Sequence, residues 1–302
     1  MSLTIVGTVA YDGIETPFGK RERVLGGAAM YAALSASYLT ATPGIISVVG
    51  DDFLDSDRAV LTDRGIDLEG VETVAGGKCF YWAGYYHANM NKRDTLVTDL
   101  NVLADFKPVV PASFQDSDSL LLGNLSPSVQ LSVLDQFVTR PKFIALDTMN
   151  FWMDIALDEL LEVIKRVDLL TINDEEAQQL SGIHNIHAAA KKILTMGPKF
   201  LIIKKGEHGA ILYSADGPFA IPSYPVDSVC DPTGAGDTFA GGFMGYLDNE
   251  GSYDFAALKR SLAYATAMGS FNVEAFGPER LLELSAADIS SRVDFLKAYT
   301  QF

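Results

Sequence analysis

Residues 230–247, "CDPTGAGDTFAGGFMGYL", open with turn-formers from Asp231 to Asp237 and continue with Phe239, Phe243, Met244 and Leu247 at helical spacing. The stretch reads as a tight loop running directly into a helix. Glycine lets backbone N–H groups approach a ligand with no Cβ in the way, and a helix start leaves its first N–H groups unpaired at the positive end of the dipole. An anion fits such a junction. Asp237 as a plain helix cap beside an ordinary glycine turn fits it equally well, so the surrounding chain has to decide.

Upstream of this loop, apolar stretches alternate with amphipathic ones. "TIVGTV" (4–9), "GIISVVG" (44–50), "SLLLGN" (119–124), "KFIALD" (142–147), "DLLTIN" (168–173) and "FLIIKKG" (200–206) read as buried strands. Helical segments fall at about residues 27–40, 53–64, 127–138, 156–166, 174–181 and 186–196. Strands buried on both faces and separated by helices predict a three-layer α/β/α sandwich with a mostly parallel central sheet, in which ligands bind at the carboxyl ends of strands. Two stretches break the alternation: "GIETPFGKRERVL" (13–25) and "KCFYWAGYYHANMNKRDTLVT" (78–98) each read as a β-hairpin. Together they predict a small β-sheet lid on a single domain spanning 1–302. The aromatics of the second hairpin call for a substrate or for a second copy of the chain, which makes a homodimer through the lid an expectation.

The 302 residues are 48% hydrophobic, enough for a large core, and carry a formal net charge of −16. That balance opposes nucleic acid and anionic membrane as partners. No window is long and apolar enough to span a bilayer, residues 1–10 lack the pattern of a signal peptide, and Cys79 and Cys230 show no disulfide or metal spacing. A reduced, cytoplasmic setting is expected.

Four more motifs stand in order with the glycine loop: "VLGGAAMYAALSA" (24–36), "VVGDDF" (48–53), "TINDEEAQQLSG" (171–182) and "IIKKGEHGA" (202–210). With "DPTGAGDTFAGGF" they make nearly the whole chain resemble the PfkB, or ribokinase-like, family of carbohydrate and nucleoside kinases. The resemblance implies transfer of the γ-phosphoryl group of ATP to a hydroxyl, commonly a CH2OH. Asp237 is then the base that takes the hydroxyl proton, while Gly234, Ala235 and Gly236 aim N–H groups at the phosphoryl. Asn173 and Glu176 match an element tied to Mg2+ and phosphate, acting through water; taken alone, the same residues read as a helix cap. Lys204, Gly206, Glu207 and Gly209 line the nucleotide, with Thr233 nearby and residues 263–272 closing over adenine. Asp231 and Thr233 match the positions of a monovalent cation, K+. Gly241, Gly242 and Gly245 let the helix pack closely.

For the acceptor, the resemblance places Asp12 on two hydroxyls and Gly26 and Gly27 against the substrate. The pattern departs where Tyr31 replaces an asparagine and where Asn124 or Leu125 stands for a sugar-binding glutamate. These changes point away from ribose itself. Lys92 and Arg93 at the lid turn are within reach of a phosphorylated sugar, while Tyr31, Phe80, Trp82 and Tyr85 offer faces for stacking a nucleoside base. "LDTMNFW" holds Asp147 and Asn150 in a loose D-x-N pattern, equally readable as a strand end and its turn. A free sugar or similar small metabolite is the first expectation and a nucleoside the alternative. A non-catalytic ligand sensor on the same fold is a reading of another class. A dinucleotide oxidoreductase lacks its G-x-G-x-x-G after the first strand.

Overall fold

Leu169 and Leu170 are adjacent in sequence yet belong to different cores, and this two-sided burial organises the molecule. The computed structural model describes residues 2–301. Its large sheet contains β1 (Leu3–Val6), β4 (Gly44–Gly50), β5 (Asp67–Val74), β8 (Ser119–Leu122), β9 (Phe143–Asp147), β10 (Leu169–Asn173), β11 (Phe200–Lys204), β12 (Ala210–Ser214) and β13 (Gly217–Ile221). The strand order is β13-β12-β11-β10-β9-β8-β1-β4-β5, parallel throughout except for the antiparallel β11–β12 and β12–β13 pairs. Helices α1 (Ala28–Ala36), α2 (Asp55–Thr62), α3 (Pro127–Gln136), α4 (Asn150–Ile155), α5 (Leu157–Ile164), α6 (Asp174–Ser181), α7 (Ile186–Leu194), α8 (Ala235–Glu250), α9 (Phe255–Asn272), α10 (Glu279–Leu282) and α11 (Ala286–Tyr299) complete the layers.

Residues such as Ile5, Leu121 and Ile202 face a core shared with α1, α8, α9 and α11. Their neighbours Val6, Leu122 and Ile203 face a second core shared with α3, α5 and α7. Each such aliphatic side chain, fully buried, stabilises the fold by about 1.5–3 kcal/mol before entropy is counted. The glycines of α8 act as expected: a Cβ on Gly241 would lie 2.0 Å from the Ala32 carbonyl oxygen, and one on Gly245 2.8 Å from the Ala36 Cα. Backbone contact of this kind fixes α8 against α1 and so fixes where its first turn points.

A second sheet joins β2 (Ala10–Thr16), β3 (Gly19–Gly26), β6 (Tyr81–Tyr86) and β7 (Arg93–Asp99) in the order β3-β2-β6-β7. Both irregular stretches are antiparallel hairpins, and a parallel β2–β6 pairing joins them. The expected strand at 4–9 ends at Val6, so Asp12 lies inside β2 of the small sheet and not at the end of a main-sheet strand. Among the described residues no helix is long and apolar enough to cross a membrane.

Candidate active site

The register of the main sheet places Thr171 beside Asp147 and Asn173 beside Lys204, so the carboxyl ends of β9, β10 and β11 deliver three polar side chains to one edge. The first turn of α8 comes to the same edge: a Cβ on Gly236 would lie 3.3 Å from the Lys204 ammonium nitrogen.

Gly234, immediately before α8, has φ 74°, and a Cβ there would meet the Tyr31 ring at 2.4 Å. No other residue fits without strain. The N–H groups of Gly234 and Gly236 meet no acceptor among the described residues. Ala235, expected to join them, instead donates its N–H to the Pro232 carbonyl at 3.2 Å, and that bond tightens the turn. The glycine amides left free in the turn are therefore those of Gly234 and Gly236, at the positive end of a 16-residue helix, a place that suits an anion.

The loop is held from below. Asp231, fully buried, accepts the Thr233 N–H on Oδ1 and the Gly277 N–H on Oδ2, both at 2.9 Å. The Thr233 carbonyl accepts Nδ2 of Asn272 at 2.7 Å, while Oδ1 of Asn272 accepts the Thr238 hydroxyl at 3.1 Å. The oxygens expected to face a monovalent cation thus already accept N–H donors. Each of these oxygens keeps a further lone pair beyond the one donor it accepts.

Asp237 keeps part of its surface open, but protein surrounds its carboxyl. Burial, reinforced by the charge of Asp147, raises its pKa to about 7, against the pull of Lys204 and Arg93. Lys204 donates to Asp147 Oδ1 at 2.7 Å. Burial opposes the ammonium charge, yet Asp147 and Glu176 outweigh it and hold the Lys204 pKa above its ordinary value. Asn173 and Glu176 form a reciprocal capping box: Asn173 Oδ1 accepts the Glu176 N–H at 2.8 Å and Glu176 Oε2 accepts the Asn173 N–H at 2.7 Å. The capping reading is therefore satisfied, and one Glu176 oxygen remains outside it. Burial lifts the Glu176 pKa to about 7, with Lys204 pulling down and Asp147 pushing up. Among the described residues no three His, Cys, Asp or Glu side chains form a metal-binding group. Any Mg2+ here depends on phosphate oxygens and water for most of its shell, which suits that ion.

Asp12, expected to meet the acceptor, is 5% exposed and lies so close to Gly26 that a Cβ there would be 2.1 Å from Asp12 Oδ2. Burial, then the charges of Asp231 and Asp237, raise the Asp12 pKa to about 8, so its carboxyl both donates and accepts at neutral pH. Gly27, φ 99°, precedes α1 and would clash with the Thr8 carbonyl if it bore a Cβ. Tyr31 departs from its expected use. It is 1% exposed with its ring beneath Gly234, so it offers no face for stacking, and its hydroxyl has no partner. Asn124 is tied to α4, where its Oδ1 accepts the Trp152 indole N–H at 2.8 Å and its Nδ2 approaches Met149 Sδ at 3.1 Å.

Gly206, Glu207 and Gly209 form the turn between β11 and β12 at the same sheet edge, with Glu207 exposed. Residues 263–272 are the C-terminal half of α9, whose Asn272 braces the glycine loop. Two features escape the sequence. Asp147 acts through Lys204, 57 positions away, whereas Asn150 bonds Gln179 at an exposed site. Tyr86 of the small sheet bonds the Thr233 hydroxyl at 3.2 Å and joins lid to loop.

Comparison with known proteins places the chain among kinases of one family. The family model described as pfkB family carbohydrate kinase matches residues 6–283. The cytidine kinase of Thermococcus kodakarensis is 29% identical over 81% of this chain and 87% of its own length. The nucleoside kinase of Methanothermobacter thermautotrophicus is 27% identical over 92% of this chain and 91% of its own. Among solved structures, a putative ribokinase II from E. coli in complex with ATP and Mg2+ superposes with a TM-score of 0.80 at 24% identity, covering 97% of this chain and 99% of that one.

Proposed function

The chain belongs to the pfkB family of carbohydrate kinases, and on that premise we propose that the acceptor of this ATP-dependent kinase is a nucleoside phosphorylated at its primary hydroxyl. Asp12 and Trp82 are direct partners in the β2–β6 register, and this observation carries the reading. A carboxyl able to hold a sugar diol stands beside an aromatic ring broad enough for a base. The names of the two relatives above support the same choice, which reverses the order of preference drawn from sequence.

The acceptor hydroxyl lies against Asp237, whose ionised carboxylate takes its proton as the oxygen attacks the γ-phosphorus. One O–P bond forms and the bond to the β-phosphate oxygen breaks, releasing ADP; the proton passes from Asp237 to solvent. The Gly234 and Gly236 N–H groups and Lys204 meet the charge on the transferred group. Mg2+ would be met by the free oxygen of Glu176 through water, and it supplies charge neutralisation along the triphosphate. Asp231 and Thr233 are the residues that would meet a monovalent cation beside the loop, and no step of the transfer is assigned to it.

The small sheet serves as the lid in this reading, and the exposed apolar residues on and around it, Phe18, Leu96 and Leu100, are the proposed homodimer contact. A light-scattering mass of one chain at micromolar concentration rejects the dimer. The free cysteines Cys79 and Cys230 accord with a reducing, cytoplasmic setting.

Acceptor-dependent ADP release, measured across nucleosides, free pentoses and hexoses, tests the substrate. A nucleoside is expected to exceed free ribose in kcat/KM by roughly 10- to 100-fold. Equal use of the free pentose would return the reading to a sugar kinase, and no acceptor-dependent release from any compound would favour the ligand sensor.

A further inference from the structure

Five carboxyls, those of Asp12, Asp147, Glu176, Asp231 and Asp237, surround the site just described, and the single buried cation among them, Lys204, is already paired with Asp147. A triphosphate brought into such a place needs positive charge from elsewhere. The lid carries it. Arg93 is the first residue of β7 and stands opposite Tyr86 in the hairpin register. Tyr86 reaches the Thr233 hydroxyl of the glycine loop, and Asn91, in the turn before Arg93, has its Oδ1 3.7 Å from where a Gly206 Cβ would be. Arg93 is thus bracketed between the anion loop and the turn at the end of β11. Its guanidinium lies 5.5 Å from the centre of the Trp82 ring, the neighbour of Asp12, and it forms no ion pair among the described residues.

We propose that Arg93 is a phosphoryl-binding residue, a guanidinium on the lid that grips a phosphate group between the glycine loop and the acceptor. The inference rests on the kinase reading and adds to it a residue that none of the motifs contains. The same cation is felt at both ends of the site, since it draws down the carboxyls of Asp12, Glu176 and Asp237 alike. A planar fork suits a phosphoryl group, which it meets through two parallel N–H bonds, better than a neutral hydroxyl. Two phosphates qualify by chemistry: the one being transferred from ATP, or one already on the acceptor.

Arg93→Ala and Arg93→Lys separate them. Arg93 is exposed, so both variants should fold, and thermal melts check this. If the transferred group is the ligand, Arg93→Ala lowers kcat with an uncharged acceptor by roughly 10- to 100-fold. It also weakens binding of the β,γ-imido analogue of ATP several-fold while leaving ADP binding unchanged, and Arg93→Lys recovers only part of either loss. If the acceptor's phosphate is the ligand, only a phosphate-bearing acceptor loses, through a raised KM. Unchanged kinetics with both acceptors and unchanged analogue binding overturn the proposal. Calorimetry with the analogue needs no acceptor, so it judges Arg93 even if the wild-type enzyme phosphorylates nothing in the panel. That second result would count against the kinase reading alone.

Discussion

Asp237 and Asp248 lie on one helix, about three turns apart, and burial raises the pKa of both. Their surroundings differ. Asp237 stands in the first turn of α8, partly open, beside two unpaired amides and within reach of Lys204 and Arg93. Asp248 stands near the far end, fully enclosed; its Oδ2 accepts the Thr40 hydroxyl at 2.6 Å and its Oδ1 has no partner. A reluctant carboxyl is therefore only a product of burial. It becomes a base where a cleft, a phosphoryl site and the carboxyl ends of strands converge on it.

The contrast breaks most visibly under substitution. Asp237→Asn is expected to lower turnover by about 100-fold or more with nucleotide binding largely kept, whereas Asp248→Asn leaves steady-state kinetics near wild type. A similar loss in both would make the helix, not the site, responsible. Gly234→Ala comes next. The strained φ alone costs of order 1–3 kcal/mol, and the methyl group must also displace the Tyr31 ring, so both melting temperature and turnover should fall. The corresponding glycine at the other end, Gly251, has φ 70° and lies far from the glycine loop, so its alanine variant should lose stability with turnover kept.

The pH response sharpens the comparison further. Asp237 must lose its proton to act, so kcat/KM should rise about tenfold per pH unit below the value near 7 and level off above it. A profile flat across that range removes Asp237 as the base. Asp248 bears on stability instead. A carboxyl whose folded pKa is raised stabilises the fold while protonated, and this contribution is lost as pH climbs from the unfolded pKa through the folded one. Asp248→Asn should therefore melt slightly above wild type at alkaline pH, with the gap closing near pH ~4. A gap that widens on acidification would reverse the sign.

The same physics explains what could be read in advance. β1, β4 and β8 to β11 are apolar on both faces, so their sequence marks them without ambiguity. β5, "DLEGVETV", is an edge strand with charged residues exposed, and it passes for loop. The β12–β13 hairpin carries its own signal, Asp216-Gly217, where the two-residue loop Ala215–Asp216 leads into Gly217 opposite Ser214. The glycine loop announced itself because its conformation demands particular residues. Asp147 did not, since its meaning depends on Lys204 two strands away, a neighbour that only sheet order supplies. Tyr31 reads as a face for stacking a base because nothing in its helix reveals that Gly234 rests on its ring.

Asp12 belongs to β2, a strand of the small sheet, whereas Asp237 belongs to α8 of the main body. In the proposed reaction an alcohol gripped by Asp12 is therefore presented to the base across the boundary between the two bodies. A stray water has no such escort. On the proposed reaction, futile loss of ATP to water is discouraged by this division of labour.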